Sequence, residues 1–215
     1  MQNEWAASTS SLSSLSSMSS LSSMSSMSSM SSAPDSRPTR PGPFRLVVLR
    51  HAKSAWPEVE DRDRPLAPRG RRDAPAAGRR LADAGCLPDA VVCSPSRRTR
   101  ETWELVAAQF AAAPPVTFDD RVYGASAARL LDVVRETPAG VRTLLLIGHQ
   151  PGVQDLVLSL AGGGDDEALA RVREKFPTSG LAVLESPAPW PEFGAGGAVL
   201  RDFAVPRGVK HTRGE

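Results

Sequence analysis

Only 3 histidines, 2 cysteines and a single tyrosine occur among the 215 residues of this chain, and aromatic residues make up 5% of it. Cys86 and Cys93 lie close together and the N-terminal sequence does not read as a secretory signal, so a disulfide framework is not expected and both are read as reduced thiols. No apolar run approaches the roughly 18 residues that cross a bilayer. The longest are stretches such as 46–49 and 144–147, so a soluble, cytoplasmic protein without a membrane partner is expected. Charge of one sign is also missing: 26 lysines and arginines face 24 acids, a net charge of +2. That balance argues against general adhesion to nucleic acid or anionic membrane, and any anion binding must be local.

What is abundant is serine. Residues 8–32 are serine pairs punctuated by single Leu or Met at a period of three, which drifts around a helix without forming a lasting apolar stripe. Disorder is expected there. Residues 33–43 are rich in Pro and Arg and read as a linker, so residues 1–43 form a tail and linker, 44–206 the folded domain, and 207–215 a polar C-terminal tail. Residues 1–36 hold Glu4 and Asp35 and no lysine or arginine, which leaves 26 basic against 22 acidic side chains in the remainder. The domain is mildly basic.

Beyond Phe44, short β-branched or Leu-rich runs alternate with longer amphipathic ones, the pattern of a largely parallel sheet covered on both faces by helices. Strands are expected over 45–49, 90–93, 116–118, 143–147, 181–185 and 199–203. Helices are expected over 69–84, 98–112, 126–136 and 152–161, with Gly85 ending the first and Gly162-Gly163-Gly164 breaking the last. The fold class is therefore α/β, a three-layer αβα sandwich.

In open α/β sheets ligands bind beyond the carboxyl ends of the strands. Three such ends carry chemistry: Arg50-His51-Ala52-Lys53-Ser54, Ser94-Pro95-Ser96-Arg97-Arg98-Thr99, and Gly148-His149-Gln150-Pro151. A single histidine there is ordinarily a hydrogen-bonded loop residue. Two of three histidines at equivalent positions, with Arg50 and Arg98 at hand, make an oxyanion trap instead, because guanidinium forks match the oxygens of a phosphate. Zinc is a poor rival, since His51 and His149 have no closely spaced companion ligand and the arginines repel a cation. A cysteine-phosphatase loop fails on register: six residues after Cys93 stands Thr99, with Arg98 and Arg100 on either side.

These residues, together with Arg100-Glu101-Thr102, Asp63-Arg64-Pro65-Leu66 and Arg69-Gly70, resemble the histidine phosphatase superfamily, and within it the short bacterial phosphohistidine phosphatases. The resemblance runs from about 44 to 206. It implies a phosphoglycerate mutase-like fold, no cofactor and no metal, and a phosphorylated protein or small molecule as substrate. It implies His51 as a nucleophile that becomes phosphorylated, with Arg50, Arg98 and His149 on the phosphate and Arg64 as a further phosphate contact. Arg97 and Arg100 read as a solvated helix face, and an ion pair of Arg64 with Asp61 or Asp63 is the structural alternative. Ala52 replaces the family's common glycine. The acid that protonates a leaving oxygen has only Asp119 and Asp120 as candidates, both equally a strand-end turn. Trp56, Tyr123 and Trp190 are candidate pocket walls. A small-molecule phosphomonoesterase or mutase, or a catalytically silent phosphate-binding module, are the competing readings.

Overall fold

The computed structural model describes residues 42–209. The serine-rich segment, nearly all of the expected linker, and residues 210–215 of the expected C-terminal tail, His211 among them, lie outside them. The chain runs β1 Phe44–Arg50, α1 Pro68–Asp83, β2 Ala90–Cys93, α2 Arg97–Ala107, β3 Val116–Phe118, α3 Ala127–Arg135, β4 Thr143–Gly148, α4 Gly152–Leu160, β5 Ala161–Gly164, α5 Asp166–Glu174, β6 Leu181–Ser186 and β7 Ala198–Ala204. Among the described residues seven strands form one sheet in the order β3-β2-β4-β1-β6-β7-β5. β1 pairs parallel with β4, as do β2 with β4, β2 with β3 and β5 with β7; β6 alone runs against its neighbours.

Successive side chains of a strand point to opposite faces. Leu46, Val48, Leu144 and Leu146 therefore enter the core under α3, α4 and α5, while Val47, Leu49, Leu145 and Ile147 enter the one under α1 and α2. Burial on both faces is why β1 and β4 read as continuous apolar runs. The three-layer sandwich expected from the sequence is the observed architecture.

Helix α1 ends as anticipated. Gly85 sits at φ +63°, the Gly85 N–H bonds the Ala82 carbonyl and the Cys86 N–H the Leu81 carbonyl, a Schellman closure that needs the left-handed residue. Three departures have physical causes. α2 stops at Ala107 rather than at 112, because residues 111–113 are exposed and Pro114 disfavours helix before it. The glycine run after α4 is an edge strand, β5, whose Gly162 lies so close to the Gly196 carbonyl that a Cβ would collide. α5 is an unanticipated helix, capped by Asp165 on the Ala168 N–H at 2.7 Å and anchored by Leu169 and Val172.

Candidate active site

β1, β4 and β2 are neighbours and parallel, so their carboxyl ends meet at one edge. β6 starts at that same edge because it runs the other way. Arg50 ends β1, His51 follows it, His149 follows β4, and Arg98 is the second residue of α2, shortly after β2. Arg50, His51, Arg64, Arg98 and His149 line a single cavity of about 200 Å³, with Lys53, Ser54, Trp56, Gln150 and Thr178 completing its wall. The two imidazoles are 5.2 Å apart between ring centroids.

Each ring is set by its neighbours. Nδ1–H of His51 donates to the Ala52 carbonyl at 2.8 Å, which leaves Nε2 as the nitrogen with a free lone pair. Burial, and secondarily the charges around it, lower the His51 pKa to about 3, so the ring is neutral at pH 7. His149 lies with Nε2 2.8 Å from Ser94 Oγ and Nδ1 3.3 Å from Arg98 NH2. A guanidinium can only donate, so Nδ1 accepts and Nε2–H donates to Ser94. Burial, and then the Arg98 charge, lower this ring's pKa to about 4.

Backbone carbonyls and one shared carboxylate supply most of the bonds that hold the arginines. Arg50 NH1 donates to the Phe176 carbonyl at 2.8 Å, and its buried Nε has no partner among the described residues. Asp61, in a 3-10 turn over Asp61–Asp63, takes Arg64 NH1 on Oδ1, and Arg98 NH2 and the Tyr123 hydroxyl on Oδ2, all at 2.8 Å. Its carbonyl takes Arg98 NH1 as well. The donors hold the Asp61 carboxyl well below the usual carboxylate range, Tyr123 contributing most. Arg64 also donates to Ser54 Oγ at 2.8 Å and the Ala55 carbonyl at 3.0 Å, and lies 3.3 Å from the centroid of the Trp56 ring. The ion pair with Asp61 foreseen as its structural alternative is present, on an arginine that still borders the cavity.

Helix α1 docks against the strand end through Gly70. A Cβ there would collide with the Lys53 carbonyl oxygen, which accepts the Ala67 N–H at 2.8 Å. Thr102 Oγ1 accepts the Ala52 N–H at 3.0 Å and donates to the Arg98 carbonyl at 2.6 Å, tying the two motifs together. Ala52 is fully buried against Leu66 and Ala74.

Other sequence candidates lie elsewhere. Arg97 pairs with Glu101 on the outside of α2, and Arg100 is exposed. Asp119 caps the 3-10 turn that follows it and is bound by Arg121, while Asp120 pairs with Arg62; neither lines the cavity. The turn reading of these two acids is the observed one. Cys93 is fully buried and its thiol is pushed up to about 12, which removes the thiolate needed for nucleophilic attack. Trp190 is core: it is fully buried, with Nε1–H on the Val141 carbonyl at 2.7 Å. Tyr123 stands edge-on to His149, and Trp56 lines the cavity with 77% of its surface exposed. Among the described residues, no group of three or more His, Cys, Asp or Glu is placed to hold a metal ion.

Sequence reasoning missed Asp61 as a shared acceptor and Ser94 as the partner of His149. The Asp61-Arg62-Asp63-Arg64 alternation was the available signal for the first, but spacing alone does not say which acid meets which arginine.

The sequence model of the histidine phosphatase superfamily (branch 1) matches residues 46–124. An uncharacterised protein of Mycobacterium tuberculosis is 42% identical over 162 residues, which are 74% of this chain and 100% of that protein. Two solved SixA proteins, both provisionally assigned as phosphohistidine phosphatases, share the fold. The one from Nakamurella multipartitia has a TM-score of 0.67 and 31% identity, covering 77% of this chain and 97% of its own. The one from Agrobacterium tumefaciens has a TM-score of 0.65 and 30% identity, covering 77% and 99%.

Proposed function

This chain belongs to the histidine phosphatase superfamily, and from that premise we propose that it is a phosphohistidine phosphatase, working without a metal through a phosphorylated His51. The observation that carries the proposal is the His51 ring: neutral, fixed through Nδ1 on the Ala52 carbonyl, with Nε2 left to attack. The provisional assignment of the two SixA proteins points the same way.

In the first step Nε2 of His51 attacks phosphorus in line, the N–P bond of the substrate breaks, and the electron pair leaves with the substrate nitrogen. Arg50 and Arg98 offer their free N–H groups to the equatorial oxygens, and charge there is stabilised without reorganisation of solvent. In the second step water attacks phosphorus on His51, the imidazole leaves with its electron pair, and orthophosphate departs.

Among the described residues no carboxylic acid lines the cavity, which supports a phosphoramidate substrate. Asp61 is the carboxylate of this network, and with three donors on it it stays ionised. An alkoxide needs a proton to leave, whereas a phosphoimidazole protonated on its other nitrogen departs as neutral imidazole. Transfer from one imidazole to another is also close to thermoneutral.

The test is turnover of an aryl phosphate and of a phosphohistidine peptide in excess chelator, with alkyl monoesters as comparison. The proposal expects both activities in the natural protein, neither in His51→Ala, and alkyl esters slower than phosphohistidine. Persisting turnover in His51→Ala removes the nucleophile. Loss of turnover on chelation removes the metal-free mechanism.

A further inference from the structure

β7 runs parallel to β1, so the chain leaves it at the edge that bears the cavity. The residues that follow do not lead away. Asp73, on α1 and 2% exposed, takes Arg207 NH1 on Oδ2 at 2.9 Å and the Gly208 N–H on Oδ1 at 3.1 Å, with Arg69 Nε at 3.3 Å beside them. Gly208 lies so close to the Arg72 carbonyl that a side chain would not fit. Arg207 NH1 also donates to the Thr178 carbonyl at 3.0 Å.

Thr178 borders the cavity, and the loop it belongs to grips Arg50. The Phe176 carbonyl accepts Arg50 NH1 at 2.8 Å, the Gly180 carbonyl accepts the Arg50 N–H at 3.0 Å, and the Ser179 N–H is shared between the Arg50 and His51 carbonyls, 3.2 Å from each. Three residues of the loop 176–180, Phe176, Ser179 and Gly180, thus fix one arginine at its guanidinium, its carbonyl and its N–H. The loop closes on itself through the Gly180 N–H on the Pro177 carbonyl at 2.8 Å, but it carries strain: Ser179 sits at φ +60°, which is unfavourable for a residue with a Cβ, and its buried hydroxyl has no partner among the described residues. Arg207 ties this strained loop from outside, through the Thr178 carbonyl.

We propose that Arg207, anchored on Asp73, is a positioning residue that holds Arg50 in its phosphate-binding place through the loop 176–180. The assignment rests on the phosphatase reading above. Its side chain is 37% exposed, so its contribution to core burial is small and its effect is on the loop. A structural role and a positioning role therefore separate experimentally.

The variants are Arg207→Met, Arg207→Lys and Asp73→Asn, with the double variant Asp73→Asn/Arg207→Met. KM and kcat are measured on an aryl phosphate, the Kd of orthophosphate by calorimetry, and Tm by thermal unfolding. Arg207→Met is expected to raise KM and the orthophosphate Kd about tenfold, with Tm near that of the natural protein, because a mutation coupled through packed groups moves binding by this order. Arg207→Lys recovers part of the loss, and the double variant is no worse than the worse single one, since both break one link. Unchanged KM and Kd in a folded Arg207→Met protein overturn the proposal. So does a loss that follows Tm alone or is additive in the double variant. If Arg207→Met does not fold, Arg207→Lys carries the same comparison. A natural protein without turnover refutes the phosphatase reading, while the orthophosphate Kd still decides the role of Arg207.

Discussion

Asp61→Asn is the substitution whose consequence follows most directly from the geometry. The carboxylate gives one oxygen to Arg64 and the other to Arg98 and Tyr123. Asparagine keeps one acceptor oxygen and puts an NH2 in place of the other. Tyr123 can turn its hydroxyl round and accept, but a guanidinium cannot accept at all. Whichever way the amide is placed, one arginine of the cavity faces a donor. A hydrogen bond to a charged group is worth about 1.5–3 kcal/mol when buried. The Asp61 side chain is 54% exposed, so water replaces part of the loss and about 1–2 kcal/mol is the sensible range. If Arg98 is the arginine that moves, that is roughly a 5- to 30-fold loss of rate.

An opposing effect must be separated from it. Removing a negative charge beside a dianionic substrate strengthens ground-state attraction, by about 1 kcal/mol or less in a well-solvated site. Salt weakens that term: at roughly 0.5 M the screening length is about 4 Å. The assay is therefore kcat for an aryl phosphate at high salt, with the inhibition constant of orthophosphate alongside. The account expects kcat to fall about tenfold while orthophosphate inhibition changes little. A kcat equal to or above that of the natural protein refutes the reasoning, because Asp61 would then tune charge without orienting the arginines.

Gly70→Ala drives a methyl group into the Lys53 carbonyl and must push α1 off the loop that follows His51, for a loss of about 1–3 kcal/mol read as a lower Tm together with lower kcat/KM. Stability falls with acid in a defined window. His51 and His149 have folded pKa values near 3 and 4, below the 6.5 of an unfolded histidine, so the unfolded chain binds more protons between those limits. Their stabilisation is complete above about pH 6.5 and is lost as pH falls toward 3–4; urea unfolding of His51→Asn and His149→Asn across that range should show a flatter pH dependence than the natural protein. Cys93 should resist iodoacetamide in the folded protein at pH 8, and Cys93→Ser should keep at least about a third of kcat, since a polar swap in a packed core affects stability more than chemistry. Alkylation that inactivates the enzyme would contradict this.

The middle of the sheet was legible because β1 and β4 are buried on both faces, so 46–49 and 144–147 are continuous apolar runs too short for a helix. β5 was not, since a run of glycines carries no side-chain pattern, and its place beside β7 depends on a backbone approach between Gly162 and Gly196. α5 buries three of its nine residues, Ala168, Leu169 and Val172, too few to mark a stripe against its charges. At the site, strand ends place His51, Arg50 and His149 by topology alone, and Arg98 follows from the residues that open α2. What spacing does not encode is the choice of partner. Asp61 rather than Asp63 meets Arg64 and Arg98, and Ser94 rather than Ser96 meets His149, because these depend on how a 3-10 turn and a loop fold back over the strand ends.

The phosphorylated intermediate is the most direct test of the central claim. The protein is turned over with a phosphohistidine peptide or an aryl phosphate, quenched in alkali where phosphohistidine survives, digested and sequenced by mass spectrometry, with 31P NMR to tell the two ring nitrogens apart. Phosphate on His51, and on Nε2 because Nδ1 is committed to the Ala52 carbonyl, is the predicted result. Phosphate on another residue, or turnover with no phosphorylated protein at any time, contradicts it.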